Sequence, residues 1–429
     1  MSTAFYASFA LRLYGAAAGF ALTLALGRVL GPEGFGAYAY AMGWVNVALL
    51  ATTFGFHHFC VRALPPMLLT GRHDAARGLV LAATGLTAAA ALALTLAAPG
   101  LVAALHLSPD PRMAEALATG AFLLLPLTLN QLRAGVLRGL GRPVAAQAPE
   151  QVLQPTLLLA LLGGAAALGA GLNAQGALLL SAAAAMAALV FGAAPAIAAL
   201  RALPQARPSF ALRGWLAEAG KSSVLFAAGV IMSATDVMML GALSSAEQTG
   251  LYGVAARFFM LMQLPALAAS AAMSHEAARL HAAGNRAALS TLVRGTAGRT
   301  VLAALGLAAL CTPIALRPDL VFGAGFAAAT APMLILIWTR AGEAVFGHPG
   351  SVIANAGGTG RAGLIVLAGA VLNGALNFVL IPQFGATGAA CATAAAYLAL
   401  TAVLAHAVWR QLGVACLPGG RAPFRKERT

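Results

Sequence analysis

Residues 26–41 read LGRVLGPEGFGAYAYA, and residues 240–255 read LGALSSAEQTGLYGVA. Set against each other at an offset of 214, with no gap, six of the sixteen positions agree: Leu26/Leu240, Gly27/Gly241, Glu33/Glu247, Gly36/Gly250, Tyr38/Tyr252 and Ala41/Ala255. The offset is about half the chain. A second echo, GLGR at 139–142 against GTGR at 358–361, follows later in each half. The chain is read as a duplication.

The surroundings of these motifs set the fold class. Of 429 residues, 60% are hydrophobic and only 9% charged, against about 45–50% and about 25% in soluble domains. Mean hydropathy is +0.85. A soluble globule could not hide that much apolar surface, so a soluble enzyme, a disordered chain and a disulfide scaffold are excluded. A membrane-crossing helix takes about 20 apolar residues. Twelve such spans are read at 5–30, 35–58, 79–98, 113–136, 147–168, 174–199, 219–243, 250–272, 296–316, 327–349, 362–381 and 386–409. The first has no basic leader and is expected to be a retained helix rather than a signal peptide.

The expectation is an all-α polytopic membrane protein with about twelve transmembrane helices in two six-helix repeats. Residues 1–205 form the N-terminal lobe and 206–429 the C-terminal lobe with a short basic tail. Six spans per repeat give both halves the same orientation, so the repeats are parallel and a central cavity is expected between them.

The net charge of +14 comes from arginines that collect on one side. Of 26 basic residues, 20 fall in the even-numbered loops and the tail, among them Arg72, Arg133, Arg207, Arg286, Arg361 and Arg425. The positive-inside rule then places both termini and every even loop in the cytoplasm. It also accounts for the basic balance without nucleic acid. Cys60, Cys311, Cys391 and Cys416 show no metal-ligand spacing, so neither metal nor cofactor is expected. EAGKSS at 218–223 is not a phosphate loop, because Trp215 stands where GxxxxGK[ST] needs glycine.

Prolines fall inside several spans, among them Pro126, Pro155, Pro265, Pro313 and Pro332. Each is expected to disturb its helix, either as ordinary tolerance in a membrane or as a bend that lines a cavity.

In order along the chain, several stretches resemble polysaccharide (Wzx-type) flippases. They are LGPEGFGAYAYA after span one, GVLRGLGRPVAAQAPEQVLQP at 135–155, DVMMLGALSSAEQTGLYGVAARF at 236–258, ANAGGTGRAG, and LNGALNFVLIPQFGATGAACAT at 372–393. Those proteins belong to the multidrug/oligosaccharidyl-lipid/polysaccharide (MOP) exporter superfamily. The resemblance implies two lobes around a cavity, alternating access, and an oligosaccharide on a polyprenyl pyrophosphate as substrate. It implies a role in making cell-surface polysaccharide such as O-antigen or exopolysaccharide at a bacterial inner membrane. The partners implied are the lipid-linked oligosaccharide, the bilayer and other polysaccharide-assembly proteins, with the flippase itself a monomer.

A pyrophosphate crossing an apolar slab needs cations inside the protein, and arginine's fork suits phosphate. The basic residues considered outside the loops are Arg12, Arg28, Arg257 and Arg340. Arg12 and Arg28 either snorkel to a surface or contact substrate. Arg340 is about mid-span, and Glu343 lies one turn on; they are either substrate-facing or a self-neutralising pair. Asn373 and Asn377, spaced i,i+4, either bind sugar hydroxyls or glue helices together. Asp236 and Arg257 lie equidistant from the turn between spans seven and eight and are expected to pair, structurally or as a coupling element. Asn130, Gln131, Gln147, Glu150 and Gln154 are read as a rim at the cytoplasmic mouth, or as solvated flanks. His57 and His58 are expected at the cytoplasmic interface.

Three rivals stand beside this reading. A cation-coupled multidrug antiporter of the same superfamily would favour unpaired acids in its cavity. A peptidoglycan lipid-precursor flippase would carry an arginine-rich first span, which is absent. A membrane polymerase or ligase would need a large external loop, and the longest external connection here is only residues 99–112.

Overall fold

The computed structural model describes residues 3–108, 110–283, 285–347, 349–355 and 359–412. The basic tail with Arg421, Arg425, Lys426 and Arg428, as well as Cys416, lies outside the described residues, as do the side chains of Arg286 and Arg361. Among the described residues there are helices and turns and no strand. The helices are α1 (Thr3–Thr53), α2 (Phe56–Leu69), α3 (His73–Leu105), α4 (Pro111–Gly120), α5 (Leu124–Gly139), α6 (Pro143–Ala148), α7 (Gln154–Ala167) and α8 (Ala174–Arg201). They continue as α9 (Leu212–Leu243), α10 (Ala246–Leu261), α11 (Leu264–Ala282), α12 (Arg286–Leu316), α13 (Pro318–Phe322), α14 (Thr330–Glu343), α15 (Pro349–Asn355) and α16 (Thr359–Leu412).

Among the described residues, eight helical stretches are long and apolar enough to cross a membrane. Two of them, Tyr6–Thr53 and Ala362–Gln411, run 48 and 50 residues, about twice the length a single span requires. Each turns a corner at one glycine. Gly31 has φ 66° and Gly385 has φ 54°, in the left-handed region that a Cβ penalises. The chain thus passes from span one to span two, and from eleven to twelve, without a loop. Counting each as two, and adding α9 and the continuous rod 143–167, gives the twelve spans expected.

Four of the prolines named above mark where helices break. Proline removes an N–H and presses on the carbonyl four residues earlier. For Pro126 that residue is Phe122, inside the 3₁₀ turn Ala121–Leu123. For Pro155 it is Gln151, inside the π-helical turn Pro149–Leu153. For Pro332 it is Ala328, inside the 3₁₀ stretch Ala324–Ala329. For Pro265 it is Leu261, the last residue of α10. Pro313 is absorbed within a regular helix, α12, as Pro99 is in α3 and Pro195 in α8.

The chain packs as two units, Met1–Gly250 and Leu251–Thr429. The division falls beyond residue 205, where the repeat places it, because α9 lies along α1 and α2 within the first unit. In this unit α2 also packs on α5, and α5 on α8. Still within it, the duplicated motif meets its own copy. A Cβ added to Gly36 would lie 1.7 Å from the Ala246 carbonyl oxygen, and one on Gly250 would lie 2.0 Å from that of Pro32. Positions 36 and 250 correspond at the offset of 214, as do 32 and 246. The contact is therefore reciprocal, as across a local two-fold axis, and it exists only because both positions lack a side chain.

A second feature of the motif recurs separately in each unit. In the first, the Tyr38 hydroxyl shares a hydrogen bond of 3.2 Å with Ser181 on α8. In the second, the Tyr252 hydroxyl shares one of 3.1 Å with Thr393 on α16. Tyr38 and Tyr252 are the matched tyrosines, and each ties the second span of its repeat to the sixth. In the second unit α12 packs on α11 and α14, and α16 packs on α14 and α15.

Candidate functional site

Arg340 and Glu343 lie in the last turn of α14, where span ten breaks. The helix stops at Glu343 and tightens into a 3₁₀ turn over Ala344–Phe346. The chain then turns at left-handed Gly347 and resumes as α15. A cation in a last helical turn faces the negative end of the helix dipole, which favours arginine here. Arg340 is only 9% exposed. Its Nη1 donates to Glu343 Oε2. Glu343 Oε1 in turn accepts from the Thr401 hydroxyl at 3.3 Å. The guanidinium carbon lies 4.0 Å from the ring centre of Phe259 and 4.6 Å from that of Tyr397, and these two rings meet edge-to-face at 5.0 Å. The remaining edge, Nε and Nη2, is buried with no hydrogen-bond partner. Arg340, Glu343, Thr300, Thr401 and Gln263 line a small, partly open cavity whose other walls are alanine, proline and methionine.

The first unit holds a buried ion pair of its own, which sequence reasoning missed. Arg133 was counted among the loop cations. It instead lies well inside α5, 6% exposed, because the helix runs on to Gly139. Its Nη2 reaches Glu150 Oε1 at 3.4 Å, on the π-helical turn ahead of Pro155. Its Nε donates to Asn130 Oδ1 at 3.3 Å, and its terminal nitrogens approach the carbonyls of Ala145 and Ala146 at 3.4 Å. Gly192 on α8 makes the room: a Cβ there would lie 2.7 Å from the guanidinium carbon. The Asn130 amide donates to the Ala185 carbonyl at 2.9 Å. Asn130 and Gln147 are thus buried parts of a helix-joining network rather than a solvated rim. A usable signal was the Asn130/Arg133 spacing of one helical turn, followed by an acid on the next span.

The other expected residues are placed as follows. Arg12 is exposed on α1 and donates through Nε to Gln147 Oε1 at 3.2 Å. Arg28 and Arg257 are exposed, and Asp236 is buried on α9. Asp236 belongs to the first unit and Arg257 to the second. Asn373 and Asn377 are wholly buried. The Asn377 amide donates to Asn373 Oδ1 at 3.2 Å, and the Asn373 amide to Thr393 at 3.4 Å, which extends the Tyr252–Thr393 bond into a ladder between the two arms of α16. His57 and His58 open α2 with ring centres 4.0 Å apart. Among the described residues no group of three or more His, Cys, Asp or Glu could hold a metal.

The sequence profile of the family described as polysaccharide biosynthesis protein matches residues 5–274, well over half the chain. The chain belongs to this family. No curated protein matches it. Solved structures share the fold at low identity. An inward-facing multidrug-resistance MATE transporter of the MOP superfamily superposes with a TM-score of 0.74 at 15% identity, over 94% of each chain. The lipid II flippase MurJ in an inward-closed conformation gives 0.72 at 11% identity, over 94% of this chain and 86% of that one. A MOP-superfamily transporter from Pyrococcus furiosus gives 0.60 at 15%, over 95% of each. This member of the polysaccharide biosynthesis family is thus a multi-pass membrane protein with the MOP transporter fold.

Proposed function

We propose that the protein carries an oligosaccharide linked to polyprenyl pyrophosphate from the cytoplasmic to the external leaflet by alternating access. It would serve cell-surface polysaccharide assembly in a bacterial inner membrane, with both termini in the cytoplasm. The observation that carries this reading is the buried Arg340, which keeps one edge of its guanidinium without a partner and lines a cavity at the break in span ten, in a chain of the polysaccharide biosynthesis family. Ionisable groups at membrane depth mark substrate paths, and broken helices line the sites of transporters. The exposed cations Arg12, Arg28 and Arg257 are its candidate contacts for the pyrophosphate end. Asn373 and Asn377 are assigned to helix packing, since each is engaged in the ladder to Tyr252. Transport needs no catalytic residue, and none is assigned. A drug-cation antiporter would present a carboxylate to its cargo, whereas Glu343 is held by Arg340 and Thr401.

The test is to delete the gene and assay the cytoplasmic leaflet for a lipid-linked saccharide. Accumulation, reversed by the wild-type gene, is expected. No accumulation, accompanied by hypersensitivity to cationic drugs, would replace this reading with the antiporter.

A further inference from the structure

We propose that the Arg340 cavity is the seat of an uncharged part of the ligand, a sugar ring offering two adjacent oxygens, and not of the pyrophosphate. This rests on the flippase reading and assigns one end of the ligand to one place in the fold.

Charge decides it. Arg340 is already neutralised by Glu343 through Nη1. The negative end of the α14 dipole points at the same spot, because both residues occupy the helix's last turn. Phe259 and Tyr397 lie within cation–π distance of the guanidinium. A multiply charged anion would therefore meet an acid, a helix C-terminus and no second cation among the lining residues. What the guanidinium still lacks is two hydrogen-bond acceptors, at Nε and Nη2. These nitrogens form one edge of the planar fork and address two parallel oxygens. A vicinal diol supplies such a pair without charge. Its own hydroxyl protons can be taken by the carbonyl oxygen of the Gln263 side chain and by Thr300, whose hydroxyl proton is already committed to the Thr296 carbonyl. The apolar walls suit the C–H face of a sugar ring. Burial of the fork makes the site selective, since a ligand lacking those oxygens leaves a desolvated donor pair unfilled.

The experiment exchanges charge for hydrogen bonding. Variants Arg340→Lys and the double variant Arg340→Gln with Glu343→Gln are tested for clearing the cytoplasmic-leaflet lipid-linked saccharide, at matched membrane levels. The comparison of wild type with the deletion strain tests the flippase reading. The comparison of variants with wild type tests the site. The uncharged double variant should stay within about fivefold of wild type, the worth of one neutral hydrogen bond, and should outperform the lysine variant. If lysine works and the double variant does not, the ligand group is an anion and the proposal falls. It falls also if both are inactive, because neutral donors then do not suffice, or if both equal wild type, because the fork is then unused. A second measurement reads binding directly, on purified protein whose helical circular dichroism matches wild type. Purified wild type and Arg340→Ala are titrated with inorganic pyrophosphate and, separately, with sodium glucuronate, to tell a phosphate from a sugar carboxylate. No Arg340-dependent heat is expected from either, and such heat from either one overturns the assignment.

Discussion

The contact between Gly36 and Gly250 can be tested by giving each glycine the smallest side chain. A Cβ at position 36 would start 1.7 Å from a backbone oxygen, where ordinary contact begins at 3.4 Å. The helices would have to part by up to the difference, about 1.7 Å. The obstacle is backbone and cannot rotate aside, so Gly36→Ala belongs at the upper end of the roughly 1–3 kcal/mol typical of overpacking. Alanine returns about 1 kcal/mol of helix propensity, which leaves a net loss of about 2 kcal/mol. Gly250→Ala, 2.0 Å from the Pro32 oxygen, should cost about the same by reciprocity. The decisive quantity is the double variant. Once one Cβ has forced the helices apart, the second enters space already opened. The pair should thus cost nearer about 2 than about 4 kcal/mol, a coupling well above the few tenths seen for independent sites. The assay is denaturant unfolding of purified protein in detergent micelles. Gly19→Ala, with nothing within 4 Å of its Cβ, is the control for propensity alone. If Gly36→Ala behaves like Gly19→Ala, or if the two costs simply add, the reciprocal contact is not where this stability resides.

Other expectations follow from the same structure. Glu150→Ala should destabilise the protein by about 3–5 kcal/mol, since it strands the buried Arg133, while replacing both by apolar residues of similar size should cost much less; unfolding in micelles reads both. Reporter fusions after Arg72, Arg207 and Arg286 should all signal cytoplasm, and an external signal from any one would break the proposed topology. If Asp236 and Arg257 are coupled, Asp236→Ala and Arg257→Ala should each lower transport or protein level. The exchange Asp236→Arg with Arg257→Asp should then recover part of it, and an exchange no better than either single variant would refute the pairing.

Much of the scaffold was legible because the physics behind it is local. Spans show as apolar runs, and the loopless corners fall where glycines 31 and 385 stand between such runs. Even the tight contact at Gly36 and Gly250 is foreshadowed, since both are glycines matched across the repeat. Arg133 was misread for an equally physical reason. Hydropathy sees an arginine near the end of an apolar run and assigns it to water, whereas its burial depends on Glu150, 17 residues away, and on the missing side chain of Gly192 still further on. Asn373 and Asn377 posed the opposite problem. Their spacing puts them on one face, but only the position of Thr393 shows that this face meets another helix. Arg340 was legible as a buried cation beside Glu343. The break in span ten that gives it a cavity falls after Glu343, at the 3₁₀ turn and left-handed Gly347, which a span read through to residue 349 absorbs.

The corners at Gly31 and Gly385 also bear on how the protein reaches the bilayer. Two spans joined by a single residue leave no hydrated tether between them, so the first cannot settle in lipid while the second waits in water. Each pair must leave the insertion machinery as one unit, with its backbone hydrogen bonds already formed before contact with hydrocarbon.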